Sequence, residues 1–234
     1  MPVENGNNQQ EPRLECPVSV VCPICRGTLI QTGGSIECTS CKKRFGFRDG
    51  FPDLIVGGRF DDVEDQARPR SEEEMNVDVT RNYWLPLFRT LWSSRKLPLR
   101  LLSVGCGTGV DIDLLCAAGF DAIGVDCGNR STVWPRRRNR DRLLLANGKH
   151  LPFEDQTFDG AFCGCVFPHV GVVGDSFQVT PHYDEDRLRL ASEMTRVLKP
   201  DGKIVVSSPN RLFPCDIFHG READSYKPRP YWPG

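Results

Sequence analysis

Residues 99–126 read LRLLSVGCGTGVDIDLLCAAGFDAIGVD, and the order of residue types in this stretch decides the fold. Leu99 to Gly105 opens with an apolar run of the length of a buried strand. Gly105-Cys106-Gly107-Thr108-Gly109 then strips side chains from the point where the chain turns, and leaves backbone N–H groups open at a helix start. Ile112, Leu115 and Cys116 fall on one side of the helix predicted over 110–119, and Gly119 stops it. Residues 120–126, FDAIGVD, form a second apolar strand that ends in a carboxylate. Strand, glycine turn, helix and strand in this order make one crossover of a parallel sheet. Ligands of open parallel sheets sit at the carboxyl ends of the strands, where this turn and Asp126 both fall.

Working outward, the alternation continues. RLLLA (142–146) and FDGAFCGCVF (158–167) read as the third and fourth strands, and KIVVSS (203–208) as the fifth. Asp184 is expected to cap a helix running to about Lys199, with Glu185 and Asp186 in its first turn and Leu190, Met194 and Val197 on one face. Pro200-Asp201-Gly202 should then turn the chain. The fold class is α/β, a mostly parallel sheet with flanking helices. Upstream, Tyr83, Trp84, Leu87, Phe88, Leu91 and Trp92 mark a packing helix within 75–96, with Pro86 as its kink or start.

The turn is not a dinucleotide fingerprint, because counting G-x-G-x-x-G from Gly105 puts Val110 at the last position. It is no P-loop either, since no Gly-Lys-Ser/Thr follows. Asp126 stands 21 residues after Gly105, where a strand-end carboxylate accepts ribose hydroxyls. SVGCGTG (103–109), GVD (124–126), LPFEDQTFDG (151–160) and RVLKPDGKIVVSSPN (196–210) occur in the order in which they resemble the class I S-adenosylmethionine-dependent methyltransferases. The likeness is closest to the type 11 subgroup, which includes quinone and sterol methylating enzymes, and covers about 99–210.

That resemblance implies a Rossmann-like domain with S-adenosyl-L-methionine as cofactor. By position, Gly105, Gly107 and Gly109 would line its methionine part and Asp126 would hold the ribose. Asn147 stands where the family usually has an Asp that bonds the adenine amino group, and Gly148 would offer its N–H to the ring. Cys163 would lie under the methionine moiety. Ser103 replaces an Asp that commonly helps to hold the cofactor's amino group. Methyl transfer from a sulfonium is an in-line displacement whose leaving group needs no proton, so the main task is attack geometry at about 3–3.5 Å with water excluded. His169 is the one candidate base near the site, and a structural or cofactor-side role is the favoured reading for it.

Cys22-Pro-Ile-Cys25, twelve intervening residues, then Cys38-Thr-Ser-Cys41 is the spacing of a four-thiolate Zn²⁺ site, structural because its shell is closed. The segment resembles the zinc ribbons ahead of some ribosomal RNA guanine methyltransferases, and the small adaptor subunit that activates several RNA and protein methyltransferases. Lys42, Lys43, Arg44 and Arg48 with Phe45 and Phe47 suit RNA contact or a solvated hairpin equally. WPRRRNR (134–140) is a second basic cluster, read as solvent-facing.

Division by composition gives a disordered tail at 1–15, the ribbon at 16–56, an acidic linker at 57–74 and a methyltransferase domain at 75–234. Only 26 residues follow Ser208, and their five prolines argue against two further paired strands. The sheet would end short, on an open edge for a partner to cover. Thirty Lys and Arg against 31 Asp and Glu give a net charge of −1, which lends no support to a polyanionic partner. No run reaches the ~20 apolar residues of a membrane span. The absence of a signal-peptide pattern and the paired cysteines point to the cytoplasm. The leading expectation is methyl transfer to a small-molecule or lipid-like acceptor. RNA methylation with the ribbon as grip is the alternative, and a catalytically inert interaction module of the same fold is a third.

Overall fold

The strands flanking the glycine turn lie inside a nine-stranded sheet, in a computed structural model that describes residues 13–59, 68–172, 179–208, 215–220 and 228–230. Its strands are β1 (Leu29–Thr32), β2 (Ser35–Cys38), β3 (Arg44–Arg48), β4 (Phe51–Asp53), β5 (Arg100–Val104), β6 (Asp121–Asp126), β7 (Leu143–Leu145), β8 (Phe158–Gly164) and β9 (Leu198–Ser207). The spatial order is β1-β2-β3-β4-β7-β6-β5-β8-β9. Every neighbour from β4 to β9 runs parallel, and β1 to β4 form an antiparallel meander. The Rossmann-like, mostly parallel arrangement predicted for 99–208 is therefore present.

Because side chains alternate across a strand, β5 feeds two cores. Leu102 and Val104 join Ile123, Val125 and Cys163 against Leu190 and Met194 of a helix over Tyr183–Arg196. Leu101 joins Ala122 and Phe162 against Phe88, Trp92, Ile112 and Leu115 on the other face. The helices are α1 (Arg68–Val79), α2 (Leu85–Leu91), α3 (Val110–Ala117) and α4 (Tyr183–Arg196). Each fully buried Phe, Leu or Ile contributes about 1.5–3 kcal/mol relative to exposure, so these two layers carry most of the favourable term.

Several boundaries differ from the sequence reading. The helix expected within 75–96 begins at Arg68, inside the stretch read as linker, and ends at Leu91. Between α1 and α2, Thr80–Trp84 form a π-turn in which Leu85 N–H bonds to Thr80 O. The wider turn falls just before Pro86, whose missing N–H would break an α-helical ladder there. Asp184 is not the cap of α4. His182 holds that position without a side-chain bond to the helix backbone, and Asp184 lies in the first turn with Glu185 and Asp186. Pro200-Asp201-Gly202 does not separate helix from strand but forms a bulge within β9, where pairing jumps from Phe158↔Leu198 to Gly160↔Lys203.

After β9 the proline argument holds only in part. Cys215–Gly220 (β10) and Pro228–Pro230 (β11) do pair, antiparallel, as a separate two-stranded sheet. Proline is tolerated at such edges and strand ends. Among the described residues no strand pairs with the outer edge of β9. Residues 1–12 of the expected tail, the middle of the linker, Pro209, Pro214 and Pro233 lie outside the described residues.

The meander is joined to the parallel sheet. β7 is buried along its whole length and needs cover on its outer edge. β4 supplies it, through Asp53↔Leu145 and Leu54 N–H to Leu145 O at 2.8 Å. Phe51 of β4 enters the domain core, edge-on to Trp134 at 5.1 Å.

Candidate cofactor site and cysteine cluster

Gly105, Gly107 and Gly109 all adopt positive φ, at 76°, 52° and 72°. L-residues with a side chain rarely do so. The N–H groups of Gly105 and Cys106 bond to Val125 O at 2.8 and 3.0 Å, which ties the turn to β6. Replacing Gly109 by Ala is expected to cost about 1–3 kcal/mol of stability through its left-handed backbone. The new Cβ would also lie 2.8 Å from Leu143 Cδ1. An unchanged urea midpoint would show that the turn tolerates side chains.

Asp126 ends β6 beside this turn. Its Oδ2 accepts Gly107 N–H at 2.9 Å and its Oδ1 accepts Gly128 N–H at 2.7 Å. A carboxylate oxygen can accept more than one donor. Asn147 is nearly buried, donates to Gly58 O at 3.0 Å and accepts Lys149 N–H at 3.0 Å. Gly148 packs against Leu190 and Val104 with no room for a side chain. Cys163 lies wholly in the core, where burial pushes its thiol up to about 12. It stays protonated at neutral pH. His169 closes a short 3₁₀ turn beyond β8, its N–H on Val166 O at 2.9 Å. The carboxyl edge of the sheet thus brings the three glycines and Asp126 together and sets Cys163 inside.

Several neighbours of the turn carry no sequence signal. Helix α1 lies over it: a Cβ on Gly107 would come within 2.5 Å of Glu72 Oε1. Glu72 accepts from Arg130 Nε at 2.6 Å, and Glu73 from Arg136 and Arg137 at 2.8 and 2.6 Å. The acidic stretch read as solvated is here the counterpart of the basic cluster. Trp134, fully buried, donates its indole N–H to Gly107 O at 2.8 Å. Asp111, at the start of α3, accepts Ser103 Oγ at 2.6 Å, and burial raises its carboxyl to about 6.

The β3–β4 turn reaches the same region. Arg48 donates to Gly128 O at 2.9 Å, and Asp49 accepts Ser131 Oγ at 2.6 Å. Both contacts fix the loop that follows Asp126.

At the far end of that meander, the Sγ atoms of Cys22, Cys25, Cys38 and Cys41 all lie within 4.8 Å of one another. Cys22–Cys41 and Cys25–Cys38 are separated by 3.7 and 3.4 Å. A tetrahedron with Zn–S of ~2.3 Å has S–S edges of roughly 3.8 Å, so the four thiols fit a zinc ion.

Residues 102–206, the span from β5 to β9, match the family model described as methyltransferase domain. That span is similar to methyltransferase domains. Similar proteins include a probable S-adenosylmethionine-dependent methyltransferase of Mycobacterium tuberculosis, 29% identical over 161 residues, covering 64% of this chain and 53% of that protein. A demethylmenaquinone methyltransferase of Symbiobacterium thermophilum is 33% identical over 124 residues, covering 48% and 43%. A sterol 4-C-methyltransferase of Caenorhabditis elegans is 25% identical over 184 residues, covering 76% and 48%. The chain spans about half the length of these relatives. The matched span includes the glycine turn, Asp111, Asp126 and Asn147. Among the described residues, no helix is long and apolar enough to cross a membrane.

Proposed function

We propose that this chain binds S-adenosyl-L-methionine across the glycine turn and transfers its methyl group, by in-line displacement, to a small-molecule or lipid-like acceptor. The reading is carried by one observation, the Asp126 carboxylate that links Gly107 N–H to Gly128 N–H at the carboxyl edge of the sheet. In it, Gly105, Gly107 and Gly109 face the methionine portion, Asp126 accepts the ribose hydroxyls, and Asn147 and Gly148 meet the adenine. Cys163 underlies the site, and His169 has a positioning rather than a proton-transfer role.

Charge pairing favours a small acceptor over RNA. Arg136 and Arg137 share Glu73, Arg44 pairs with Glu37, and Arg48 is turned inward to Gly128 O. Arg137 and Arg48 are turned into the fold and Arg44 and Arg136 are held in surface ion pairs, whereas RNA affinity grows with phosphate contacts from such side chains. The quinone and sterol acceptors named for two relatives point the same way. Cys22, Cys25, Cys38 and Cys41 hold a structural Zn²⁺ in this reading, which places the chain in a reducing compartment such as the cytoplasm. A partner surface covers the outer edge of β9, where Ile204 and Val206 are exposed.

The test is transfer of labelled methyl from S-adenosylmethionine to small-molecule, lipid and RNA fractions, with Asp126→Ala as control. Label is expected in a small-molecule or lipid fraction and absent with the control. Label in RNA that fades steeply with salt would transfer the case to the ribbon-assisted alternative. No label, and no calorimetric heat with the cofactor, would leave an inert interaction module.

A further inference from the structure

Ser103 and Asp111 form a buried pair beneath the glycine turn. Ser103 Oγ donates to Asp111 Oδ2 at 2.6 Å, and Ile112 N–H donates to Oδ1 at 2.9 Å. Only 2% of Ser103 and 8% of Asp111 is exposed. A carboxylate removed from water is ordinarily matched by a cation. Among the described residues, no Lys, Arg or His lies within ion-pair distance of Asp111. The same turn holds an unsatisfied group, the Thr108 hydroxyl, fully buried without a hydrogen-bond partner among the described residues. A buried carboxylate without a cation and a buried hydroxyl without a hydrogen-bond partner, at one turn, indicate a ligand that brings a positive charge and polar groups.

We infer that Asp111, oriented by Ser103, receives the ammonium group of the cofactor's amino-acid end. The inference rests on the cofactor reading above and assigns its charge recognition to α3. In place of an acid on β5, a hydroxyl on β5 steers an acid that comes from the next helix. The ammonium would supply the cation that the pocket lacks, and a polar hydroxyl, Thr108, stands in the same turn.

Two nucleosides separate this role from a merely structural one. S-adenosylhomocysteine carries the amino-acid end, whereas 5′-methylthioadenosine keeps the adenosine and sulfur but lacks it. Asp111→Asn keeps shape and hydrogen bonding to Ser103 while removing the charge. It is expected to weaken S-adenosylhomocysteine binding by about 10- to 100-fold, the size of a charged hydrogen bond. 5′-Methylthioadenosine affinity should stay within about 2-fold, because it never meets the carboxylate.

Wild-type affinity for S-adenosylhomocysteine should also fall as pH drops through about 6, where Asp111 takes up a proton, and the variant should lose that step. The titratable neighbours are Cys106 in the turn and Asp126 at the end of β6, with Glu72 of the covering helix acting on the same Cys106. All three are unchanged in the variant.

Equal affinity of wild type and variant for S-adenosylhomocysteine overturns the inference and leaves the cofactor reading standing. Equal loss of both nucleosides makes Asp111 structural and overturns it too. Failure of the wild type to bind either nucleoside overturns both readings. Should Asp111→Asn not fold, Ser103→Ala frees the carboxylate without removing it. The expected loss is then about 3-fold and confined to S-adenosylhomocysteine, and a loss shared by both nucleosides overturns the inference.

Discussion

Asp126→Ala is expected to lower affinity for S-adenosylmethionine by about 100-fold or more, read by calorimetry, while the protein stays folded. The substitution removes the proposed ribose acceptor. It also leaves Gly107 N–H and Gly128 N–H without the oxygens they now meet at 2.9 and 2.7 Å. A hydrogen bond to a charged group is worth about 1.5–3 kcal/mol, and two lost from the ligand amount to 2–4 powers of ten if fully additive. The loosened turn adds to that. Folding is expected to survive because Gly105 and Cys106 remain anchored to Val125 O. Asp126→Asn should fall between the two, since its amide oxygen can serve one N–H but not both. Wild-type affinity in Asp126→Ala would detach the carboxylate from the ligand and remove the observation on which the proposed function stands.

The centre of this site is legible in sequence for a physical reason. A backbone that must take positive φ three times within five residues admits almost only glycine, and a parallel strand buried on both faces admits almost only apolar residues. Such constraints act residue by residue and leave a readable pattern. What surrounds the turn is set by contacts between distant segments, and no local period encodes these. Glu73 and Arg137 are 64 residues apart, and each alone reads as a surface charge. Only their opposite signs, in an acidic stretch and a basic one, hint at the pairing. Asp111 is concealed differently. It occupies the first turn of a helix, where an acid is favoured by the dipole, so its burial against Ser103 has no separate signature. The helix boundary at 75 fails for a related cause, because α1 presents charges to arginines of the domain where the apolar stripe of α2 presents Trp84 and Phe88 to the core. The cysteine spacing marks the ribbon, but nothing in it tells that β4 would extend the domain's own sheet.

That continuity makes metal removal more than a local event. Chelation at neutral pH, or Cys38→Ser, is expected to release the hairpin around β1 and β2, whose small core of Cys22, Leu29, Ile36, Cys38 and Phe45 has little apolar area of its own. Small metal-held units commonly lose their fold with the ion, since ion binding supplies folding energy of about 10 kcal/mol or more in isolated zinc modules. Here the damage should spread along a defined route. β3 carries Arg48, the following turn carries Asp49, and both brace residues 128–131 next to Asp126. β4 caps the edge of β7 through Leu145. The expected results are loss of one bound zinc per chain, faster amide exchange in β3, β4 and β7, and cofactor affinity reduced by about 10-fold as the loop after Asp126 loosens. Exchange in β5, β8 and α4 should change less, because those elements meet mainly each other across the domain core, to which the ribbon segment adds only Val18 as a buried residue. A zinc-free chain with unaltered exchange in β7 and unaltered affinity would mean that the ribbon is only tethered to the domain. Arg48→Ala distinguishes the brace from the metal: it should retain zinc yet reproduce most of the affinity loss, because the contact it deletes lies between the ribbon and the loop after Asp126.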